Sequence, residues 1–287
     1  MKYYNLLPNS EKIECILCEN RCKLSEGQIG LCSANSNLNM ELNSFVFGYP
    51  VAMNIDPIEK KPLSEFMTGT KSFSIGTFGC NMRCEWCQNH NISQVSANSL
   101  EVGNYYEPHE IVEQAISNGC KSISYTYNEP TIFYPYAKKI GLLAKEKGIK
   151  NVFVSNGFQT DEIIQDMTGW VDACNIDLKS ISKKTYKDYI KADIEIVLRN
   201  LKLLANSKIH VEVTTLIIPG LNDSDEEIKK IASFIKNELN ENIPWHVSAF
   251  FPSYKMLDTN RTPTDSVIKA KKIGKEVGLK NVYTGNI

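Results

Sequence analysis

From about residue 72 onward, short apolar runs rich in β-branched and aromatic residues alternate with longer stretches whose apolar positions recur at helical spacing. Such alternation is typical of repeated strand–helix units and predicts a parallel sheet. The predicted strands cover residues 72–77, 122–127, 151–155, 173–177, 210–218 and 245–251. Residues 281–286 follow as a terminal extra strand or a tail.

Helical periods lie between these predicted strands. The clearest one carries Ile228 and Ile231 on one face and begins behind Ser224 and Glu227, which match a capping box. Further helices are predicted at residues 110–117, 132–147, 194–205 and 264–277. Six strand–helix units are too few to close an eight-unit barrel. We therefore expect an α/β fold with a partial (β/α)6 barrel that is open on one side.

The first 65 residues lack this alternation and contain the closely spaced cysteines Cys15, Cys18, Cys22 and Cys32. A segment of this length buries little core, and a bound metal would supply the missing stability. Four thiols suit either tetrahedral zinc or an iron–sulfur cluster without an open position, and the spacing does not choose between them. We predict a small cysteine-rich module at residues 1–65 and a barrel at residues 66–287.

Composition limits the partners and the cellular compartment that we expect for the protein. Among 287 residues, 32 Lys and Arg nearly balance 33 Asp and Glu, which gives no electrostatic reason to expect nucleic acid as a partner. No apolar stretch has the length of a signal peptide or a membrane span. Seven of the nine cysteines fall in two tight clusters, a pattern that favours metal binding over disulfides. We expect a cytoplasmic protein.

The strongest chemical signal is the set Cys80, Cys84 and Cys87, which follows the first predicted strand of the barrel. Functional sites of α/β folds gather at the carboxyl ends of strands. A 4Fe-4S cluster held by three thiolates leaves one iron open to a small molecule with an amine and a carboxylate, as S-adenosylmethionine (SAM) has. The alternative is a structural zinc site in which His90 completes a Cys3His tetrahedron.

Polar groups follow the next strands at the same predicted rim. Asn128 and Glu129 could accept hydrogen bonds from an ammonium group. Asp177 and Lys179 could form an ion pair or contact SAM or substrate. The alternatives are roles in a turn or in the core. An aromatic ring before the last cysteine could pack an adenine, and an apolar strand end could flank it. The candidates are Trp86, Asn128, Glu129, Ser155, Asn156, Asp177, Lys179 and Ile217.

A charged, proline-bounded segment at residues 56–63 leads into the first strand of the barrel. Charged residues in such a loop are usually solvated. We keep the segment as a candidate for contact with a substrate or partner.

These motifs resemble a known family. CNMRCEWC, at residues 80–87, resembles the C-x3-C-x-aromatic-C motif of the radical SAM superfamily, and YNEP at residues 127–130 resembles its GGEP motif. SNG, DLK and IIPGLND are similar to segments of pyruvate formate-lyase-activating enzymes. With its N-terminal cysteines and the segment NIDPIEKKPL, the whole chain resembles the radical SAM enzymes of the AmmeMemoRadiSam system.

The resemblance implies that Cys80, Cys84 and Cys87 bind a 4Fe-4S cluster. It implies that Asn128 and Glu129 contact the SAM amine. Ser155 and the catalytic candidates Asp177 and Lys179 would then lie near the SAM carboxylate or the substrate.

The activity implied is reductive cleavage of SAM to a 5′-deoxyadenosyl radical, which abstracts hydrogen from a protein, peptide or small-molecule substrate. The implied electron donor is of the flavodoxin or ferredoxin kind. Activation of a glycyl radical enzyme, methyl transfer and a zinc-bearing scaffold are the alternatives. Tyr127 and Asn128 replace the two glycines of the GGEP motif, and Val154 replaces an aspartate of the activating enzymes.

Overall fold

The computed structural model describes residues 2–96 and 103–287. Its amino-terminal part consists of two small antiparallel sheets. The strands of the first sheet are β1 (Tyr4–Leu6), β2 (Lys12–Cys15) and β3 (Lys23–Ser25), and β4 (Asn35–Leu38) and β5 (Glu41–Ser44) form the second. Strands of three or four residues bury little apolar area, so these sheets depend on what they pack against.

The second part is an eight-stranded sheet whose strand order follows the chain. Its strands are β6 (Ala52–Pro57), β7 (Lys71–Gly76), β8 (Ser122–Tyr125), β9 (Lys150–Ser155), β10 (Ala173–Asp177), β11 (His210–Ile217), β12 (Trp245–Ala249) and β13 (Val282–Gly285). β6 pairs antiparallel with β7, and all other neighbours are parallel. Because β6 and β13 are the two edges, the sheet does not close into a full barrel.

Helices follow the parallel strands. They are α1 (His90–Ser93), α2 (Pro108–Ser117), α3 (Tyr134–Glu146), α4 (Asp161–Met167), α5 (Lys183–Thr185), α6 (Ile194–Ala205), α7 (Asp225–Phe234) and α8 (Thr264–Val277). Short 3-10 turns lie at Ile58–Lys60 and Pro130–Phe133, and single π turns at Tyr186–Ile190 and Ile235–Leu239 extend α5 and α7. No helix among the described residues is long and apolar enough to cross a membrane.

The main core lies between the sheet and these helices. Tyr125, Tyr134, Phe153 and Trp170 form an aromatic cluster there with ring centroids 5.6 to 6.1 Å apart. Alternate residues of the same strands face the opposite side of the sheet, where many are polar, such as Ser124 on β8. A sheet with an apolar outer face and a polar inner face can hold a polar ligand inside.

The predicted α/β fold with a partial barrel is confirmed, and the six strands predicted from apolar runs lie within two residues of their expected bounds. Residues 281–286 contribute β13, a true strand of the sheet. The prediction did not include β6, which precedes the expected boundary at residue 65 and pairs with β7 over six residues. The division into two domains stays a proposal, and β6 shows that the first 65 residues contribute to the large sheet.

Residues 58–66 close the amino-terminal end of the sheet. Ile58 and Leu63 are fully buried against Val152 and Ala173, which lie on the inner faces of β9 and β10. The side-chain amide of Asn175 donates to the carbonyl of Pro62 at 2.7 Å. This plug leaves the carboxyl ends of the strands as the open mouth.

Candidate functional site

A cavity of about 360 Å3 opens at the carboxyl ends of the strands, a volume typical of small-molecule sites. It is lined by almost every residue proposed from the sequence, namely Cys80, Cys84, Trp86, Cys87, Asn128, Glu129, Ser155, Asn156, Asp177 and Lys179. Ile217 does not line the cavity: it is fully buried on the outer face of β11, while its neighbour Leu216 lines the cavity. The topology therefore brings distant segments of the chain to one place.

The loop after β7 presents its three cysteines to this cavity as free thiols. Gly79 holds a φ of +92°, which L side chains rarely adopt and which turns the chain before Cys80. The Cys80 sulfur accepts a hydrogen bond from the amide of Met82 at 3.5 Å, and the Cys87 sulfur lies 3.1 Å from the Ser93 hydroxyl. These contacts fix the loop around its sulfur atoms.

Burial raises the pKa of the Cys84 thiol to about 11, although the ammonium of Lys179 lowers it in part. Burial and the carboxylate of Glu129 raise the pKa of Cys80 further. A buried thiol in this position is neutral at pH 7 until a cation replaces its proton. The three thiols are therefore a donor set that suits iron, and their role as ligands is a proposal.

The zinc alternative for this site finds no support in the position of His90. Its imidazole stacks on the ring of Tyr254 with centroids 4.9 Å apart, and its Nδ1 lies 3.2 Å from the carbonyl oxygen of Cys87. His90 packs beside the cysteine loop instead of completing a tetrahedron.

The segment after β8 places Asn128 and Glu129 beside the cysteine loop. Asn128 accepts a hydrogen bond from the amide of Thr77 at 3.0 Å and donates to the carbonyl of Gly79 at 2.9 Å. The buried carboxylate of Glu129 accepts from the amide of Thr131 at 3.0 Å and from the amide of Asn156 at 2.7 Å. Both side chains thus connect the loops that form the rim.

Glu129 also accepts hydrogen bonds from the hydroxyl groups of Thr131 and Ser155, so both of its oxygens have partners inside the protein. Burial raises the pKa of Glu129, and the four hydrogen bonds oppose that rise. The carboxylate is therefore a junction between the ends of β8 and β9.

Ser155 and Asn156 end β9 on the same rim. The Asn156 side chain donates to the amide oxygen of Asn81 at 2.7 Å, and its nitrogen lies 4.0 Å from the Cys80 sulfur. Ser155 accepts a hydrogen bond from the Gln159 amide at 2.7 Å. The end of β9 is thereby tied directly to the first cysteine of the motif.

Asp177 and Lys179 form an ion pair across the end of β10, with 2.7 Å between the Lys179 Nζ and an Asp177 oxygen. Burial works against the charge of Lys179, but the pKa of Lys179 is raised above its usual range because the carboxylate of Asp177 favours the ammonium form. Lys179 is therefore a permanent cation at neutral pH. Its fixed charge suits a carboxylate ligand or a cluster thiolate.

Lys61 and its neighbours complete the cavity, and the sequence singled out their segment only as a weak candidate. The Lys61 ammonium, 4% exposed, lies 2.7 Å from Asp56 and 4.8 Å from the centroid of the Tyr127 ring. The Tyr127 hydroxyl donates to the same Asp56 oxygen at 3.0 Å. The charged residues at positions 56–61 were the available signal, but only the fold turns Lys61 inward.

Tyr127 stands where the resemblance expects a glycine, and it holds a φ of +70° that is uncommon for a bulky residue. Asn89 donates to its carbonyl oxygen at 2.7 Å, and Asp56 and Lys61 hold its ring. Contacts of the tyrosine thus hold the left-handed backbone conformation at residue 127, where a glycine would adopt it without such contacts.

Comparison with known proteins gives one family for most of the barrel. Residues 74–235 match the radical SAM superfamily. The chain is 39% identical over 287 residues to an uncharacterized protein of Methanocaldococcus jannaschii, and the match covers 99% of this chain and 84% of that protein.

Two further proteins are more distant. The pyruvate formate-lyase 1-activating enzyme of Escherichia coli (strain K12) is 22% identical, over 58% of this chain and 71% of that enzyme. The crystal structure of a radical SAM methyltransferase from Sphaerobacter thermophilus superposes with a TM-score of 0.59 at 14% identity, covering 76% of this chain and 67% of that one. The latter likeness shows the fold alone.

Proposed function

The chain belongs to the radical SAM superfamily, and we propose that Cys80, Cys84 and Cys87 hold its 4Fe-4S cluster next to bound SAM. The observation that carries this proposal is the shared cavity, in which the three thiols meet the polar ends of three parallel strands. When bound, these cofactors supply reductive cleavage of SAM to methionine and a 5′-deoxyadenosyl radical that abstracts a hydrogen atom from a substrate.

In the proposed function the residues of the cavity have two further roles: some bind SAM, and others hold the binding residues in position. In this proposal Asn128, which lines the cavity, and the backbone at the end of β8 accept hydrogen bonds from the methionyl ammonium group. Glu129 adds a nearby negative charge while its hydrogen bonds hold Ser155 and Asn156 in place. A SAM molecule would therefore meet a rim that is already ordered.

Lys179 supplies a positive charge, opposite in sign to that of Glu129. Because its ammonium stays protonated, it acts as a donor toward a carboxylate or a cluster sulfur and not as a base. Asp177 holds that ammonium at 2.7 Å and keeps it at the strand end. Trp86, which is 4% exposed, provides an apolar wall of the cavity against which an adenine could pack.

A protein or peptide is the substrate class that we favour. The sequence similarity to an enzyme named as an activator of pyruvate formate-lyase supports it, and so does the open side of the sheet, where Lys60 and Asn286 border the cavity. Activation of a glycyl radical enzyme is the second candidate on the same ground. An electron donor of the flavodoxin or ferredoxin class and a cytoplasmic location complete the proposal.

The test is release of 5′-deoxyadenosine. The anaerobically purified protein is reconstituted with iron and sulfide, reduced with dithionite and incubated with SAM. We expect one 5′-deoxyadenosine for each methionine formed, and loss of both products in Cys84→Ala. Cys120→Ala is the matched control, because Cys120 is a buried free thiol that does not line the cavity.

A brown, cluster-loaded protein that forms no 5′-deoxyadenosine would contradict the proposal. Methyl transfer is recognised separately, by incorporation of a labelled methyl group from SAM into an acceptor. A colourless protein with bound zinc after the same purification would favour a scaffold role.

A further inference from the structure

Two groups of chemically active side chains have no role in the proposed SAM site. The four N-terminal cysteines line a small void of their own, namely Cys15, Cys18, Cys22 and Cys32. Lys61, by contrast, lines the cavity at the barrel mouth together with the thiols of the Cys80 loop. A substrate that enters this cavity is therefore within reach of the Lys61 ammonium.

The plug of residues 58–66 forms the floor of this cavity, which consists of Lys60, Lys61 and Pro62. The Lys61 side chain is buried and turned inward, and its Nζ lies 4.8 Å from the centroid of the Tyr127 ring. Tyr127 belongs to the rim segment after β8, which also carries the proposed contacts of the SAM amine. The floor therefore presents a cation directly beneath that rim.

The partners of Lys61 compensate its charge only in part. Asp56 accepts the hydrogen bond that Lys61 makes with the described residues, at 2.7 Å. The same carboxylate accepts the hydroxyl of Tyr127 at 3.0 Å and lies 3.5 Å from the ammonium of Lys60. One carboxylate thus faces two ammonium groups, and the Lys61 ammonium, which has three N–H donors, can bind a further acceptor.

The two buried lysines of the cavity differ in how far their partners offset the cost of burial. At Lys179 the carboxylate of Asp177 outweighs burial, and the pKa of the ammonium is raised. At Lys61 burial outweighs the carboxylate of Asp56, and the pKa of the ammonium is lowered. Because a nearby anion favours the charged form of an amine, an ammonium that is only partly compensated favours the binding of a second anion.

A purely structural role does not account for this ammonium. The plug is already held to β9 and β10 by the apolar contacts of Ile58 and Leu63. Removing an ammonium from water is costly, and replacing a buried ion pair by apolar side chains is often neutral or stabilising. An incompletely compensated cation that lines a cavity is instead typical of a site that binds a charged ligand.

The surroundings of Lys61 indicate the class of that ligand. Val154 packs against the plug, and Leu216 and Ser248 line the same cavity from β11 and β12, so the neighbouring walls are uncharged. One ammonium balances the single charge of a carboxylate, whereas phosphate groups usually bind to several cations or backbone amides. We propose that Lys61 binds a carboxylate group of the substrate at the floor of the cavity. This inference rests on the proposed function, since it assigns the substrate class of the same cavity.

The test compares a carboxylate with the amide of the same shape. Propionate and propionamide are the small probes, and N-acetylglycylglycine and its C-terminal amide are the peptide probes. Saturation-transfer NMR measures their binding to the anaerobically purified full chain, with saturating SAM and without reductant. We expect the carboxylate to bind at least about tenfold more tightly than its amide. A preference within the propionate pair indicates a small acid, a preference confined to the peptide pair indicates a peptide terminus, and either result supports the inference.

Variants assign the preference to one ammonium. Lys61→Gln removes the charge but keeps a donor for Asp56, and it should abolish the preference for the carboxylate while it leaves the affinity for SAM unchanged. Lys61→Arg should keep the preference. Lys60→Gln is the matched control, because it removes the same charge from the exposed neighbour, and it should also keep the preference. If Lys61→Gln does not fold, Asp56→Asn combined with Lys61→Met removes the whole ion pair and should abolish the preference equally.

Equal binding of carboxylate and amide by the wild type, or an unchanged preference in Lys61→Gln, would overturn the inference. A loss of SAM affinity in Lys61→Gln would assign the ammonium to the carboxylate of SAM and would overturn it as well. Because binding is measured without reductant, the result does not depend on SAM cleavage. A preference that requires Lys61, in a chain that forms no 5′-deoxyadenosine, would contradict only the proposed function. Formation of 5′-deoxyadenosine without any preference would contradict only this inference.

Discussion

Gly79 lies so close to Cys32 that a β-carbon added at residue 79 would stand 2.2 Å from the Cys32 carbonyl oxygen. Side-chain atoms do not approach backbone oxygens at that distance, so one of the two segments would have to move. The contact joins the N-terminal cysteine module to the loop that carries Cys80, Cys84 and Cys87. A substitution at residue 79 therefore tests whether the N-terminal module and the loop of Cys80 depend on each other.

The first prediction concerns Gly79→Ala. An alanine at residue 79 would overlap the carbonyl oxygen of Cys32 and would have to adopt a φ of +92°. We expect the overlap and the backbone strain together to lower the unfolding free energy by about 2–4 kcal/mol. Iron bound at the Cys80 loop should fall with it. The measurements are iron per chain and the midpoint of urea denaturation, both under anaerobic conditions.

Gly69→Ala is the matched control for that change. Gly69 has a φ of +80°, but no atom lies within 4 Å of its added β-carbon. It therefore reports the backbone strain without the overlap, and it should keep its full iron content. Equal iron losses in the two variants would show that the contact with Cys32 is unimportant.

The second prediction concerns Glu129→Gln. A carboxylate accepts four hydrogen bonds here, and an amide has one acceptor oxygen and a donor group that faces other donors. We expect the affinity for SAM to fall at least about tenfold, which corresponds to about 1.4 kcal/mol. Calorimetry with SAM and the reconstituted protein measures it.

Glu113→Gln serves as the control, because Glu113 is exposed on α2. That variant should bind SAM as the wild type does. An unchanged SAM affinity in Glu129→Gln would contradict the assignment of the carboxylate as the junction of the rim.

The third prediction concerns the ionisation of Lys179. Its pKa is raised above the usual range, since the carboxylate of Asp177 outweighs the cost of burial. The rate of SAM cleavage should therefore show no titration of this residue between about pH 7 and 9.5, given an ordinary lysine pKa of about 10.4. Lys179→Met should reduce the rate about 10- to 100-fold, and Lys179→Arg should restore part of it.

Lys183→Met is a suitable control, because Lys183 is exposed and pairs with Glu195 away from the cavity. A step in the wild-type pH profile near pH 8 that disappears in Lys179→Met would contradict a fixed cation. It would instead identify Lys179 as a group that exchanges a proton during turnover.

Much of this architecture could be predicted from the sequence, because buried parallel strands leave apolar runs. β6 was not predicted, since its residues 52–57 are largely polar or solvent-facing and end in a proline. As an edge strand it is paired on one side only, and nothing in its composition distinguishes it from a loop. Its place in the sheet comes from pairing with β7.

The prediction of Ile217 as a cavity residue shows a limit of another kind. Successive residues of a strand face opposite sides, so a choice that is wrong by one position selects the wrong face. Leu216 lines the cavity, and Ile217 joins the outer core. Both are apolar, and the sequence holds no sign of which one faces inward.

The capping box predicted for α7 is only half present. The Ser224 hydroxyl accepts the amide of Glu227 at 3.2 Å, as expected. The Glu227 carboxylate turns instead to the hydroxyl of Ser180 and the amide of Ile181. A tertiary partner 46 residues away took the place of the local one, and such competition is invisible in a local motif.

Glu212 is the least exposed charge at the amino-terminal end of the barrel. It accepts the amides of Ser64 and Glu65 at 2.9 Å each and the Nε2 atoms of His210 and His246 at 2.9 and 2.6 Å. These contacts outweigh the effect of burial and lower the pKa of Glu212 to about 2. The carboxylate therefore anchors the plug of residues 58–66 to β11.

The fourth prediction follows from that pKa. Because the folded value lies below the unfolded one of about 4.3, the stabilisation from Glu212 is complete above that pH and is lost as the pH falls towards 2. At pH 7, Glu212→Gln should lower the unfolding free energy by roughly 2–4 kcal/mol. Urea midpoints of the two proteins should differ equally at pH 7 and 5 and converge below about pH 4. Glu226→Gln, on the exposed face of α7, should match the wild type throughout. A constant difference down to pH 2.5 would show that the ionised carboxylate is not what holds the plug.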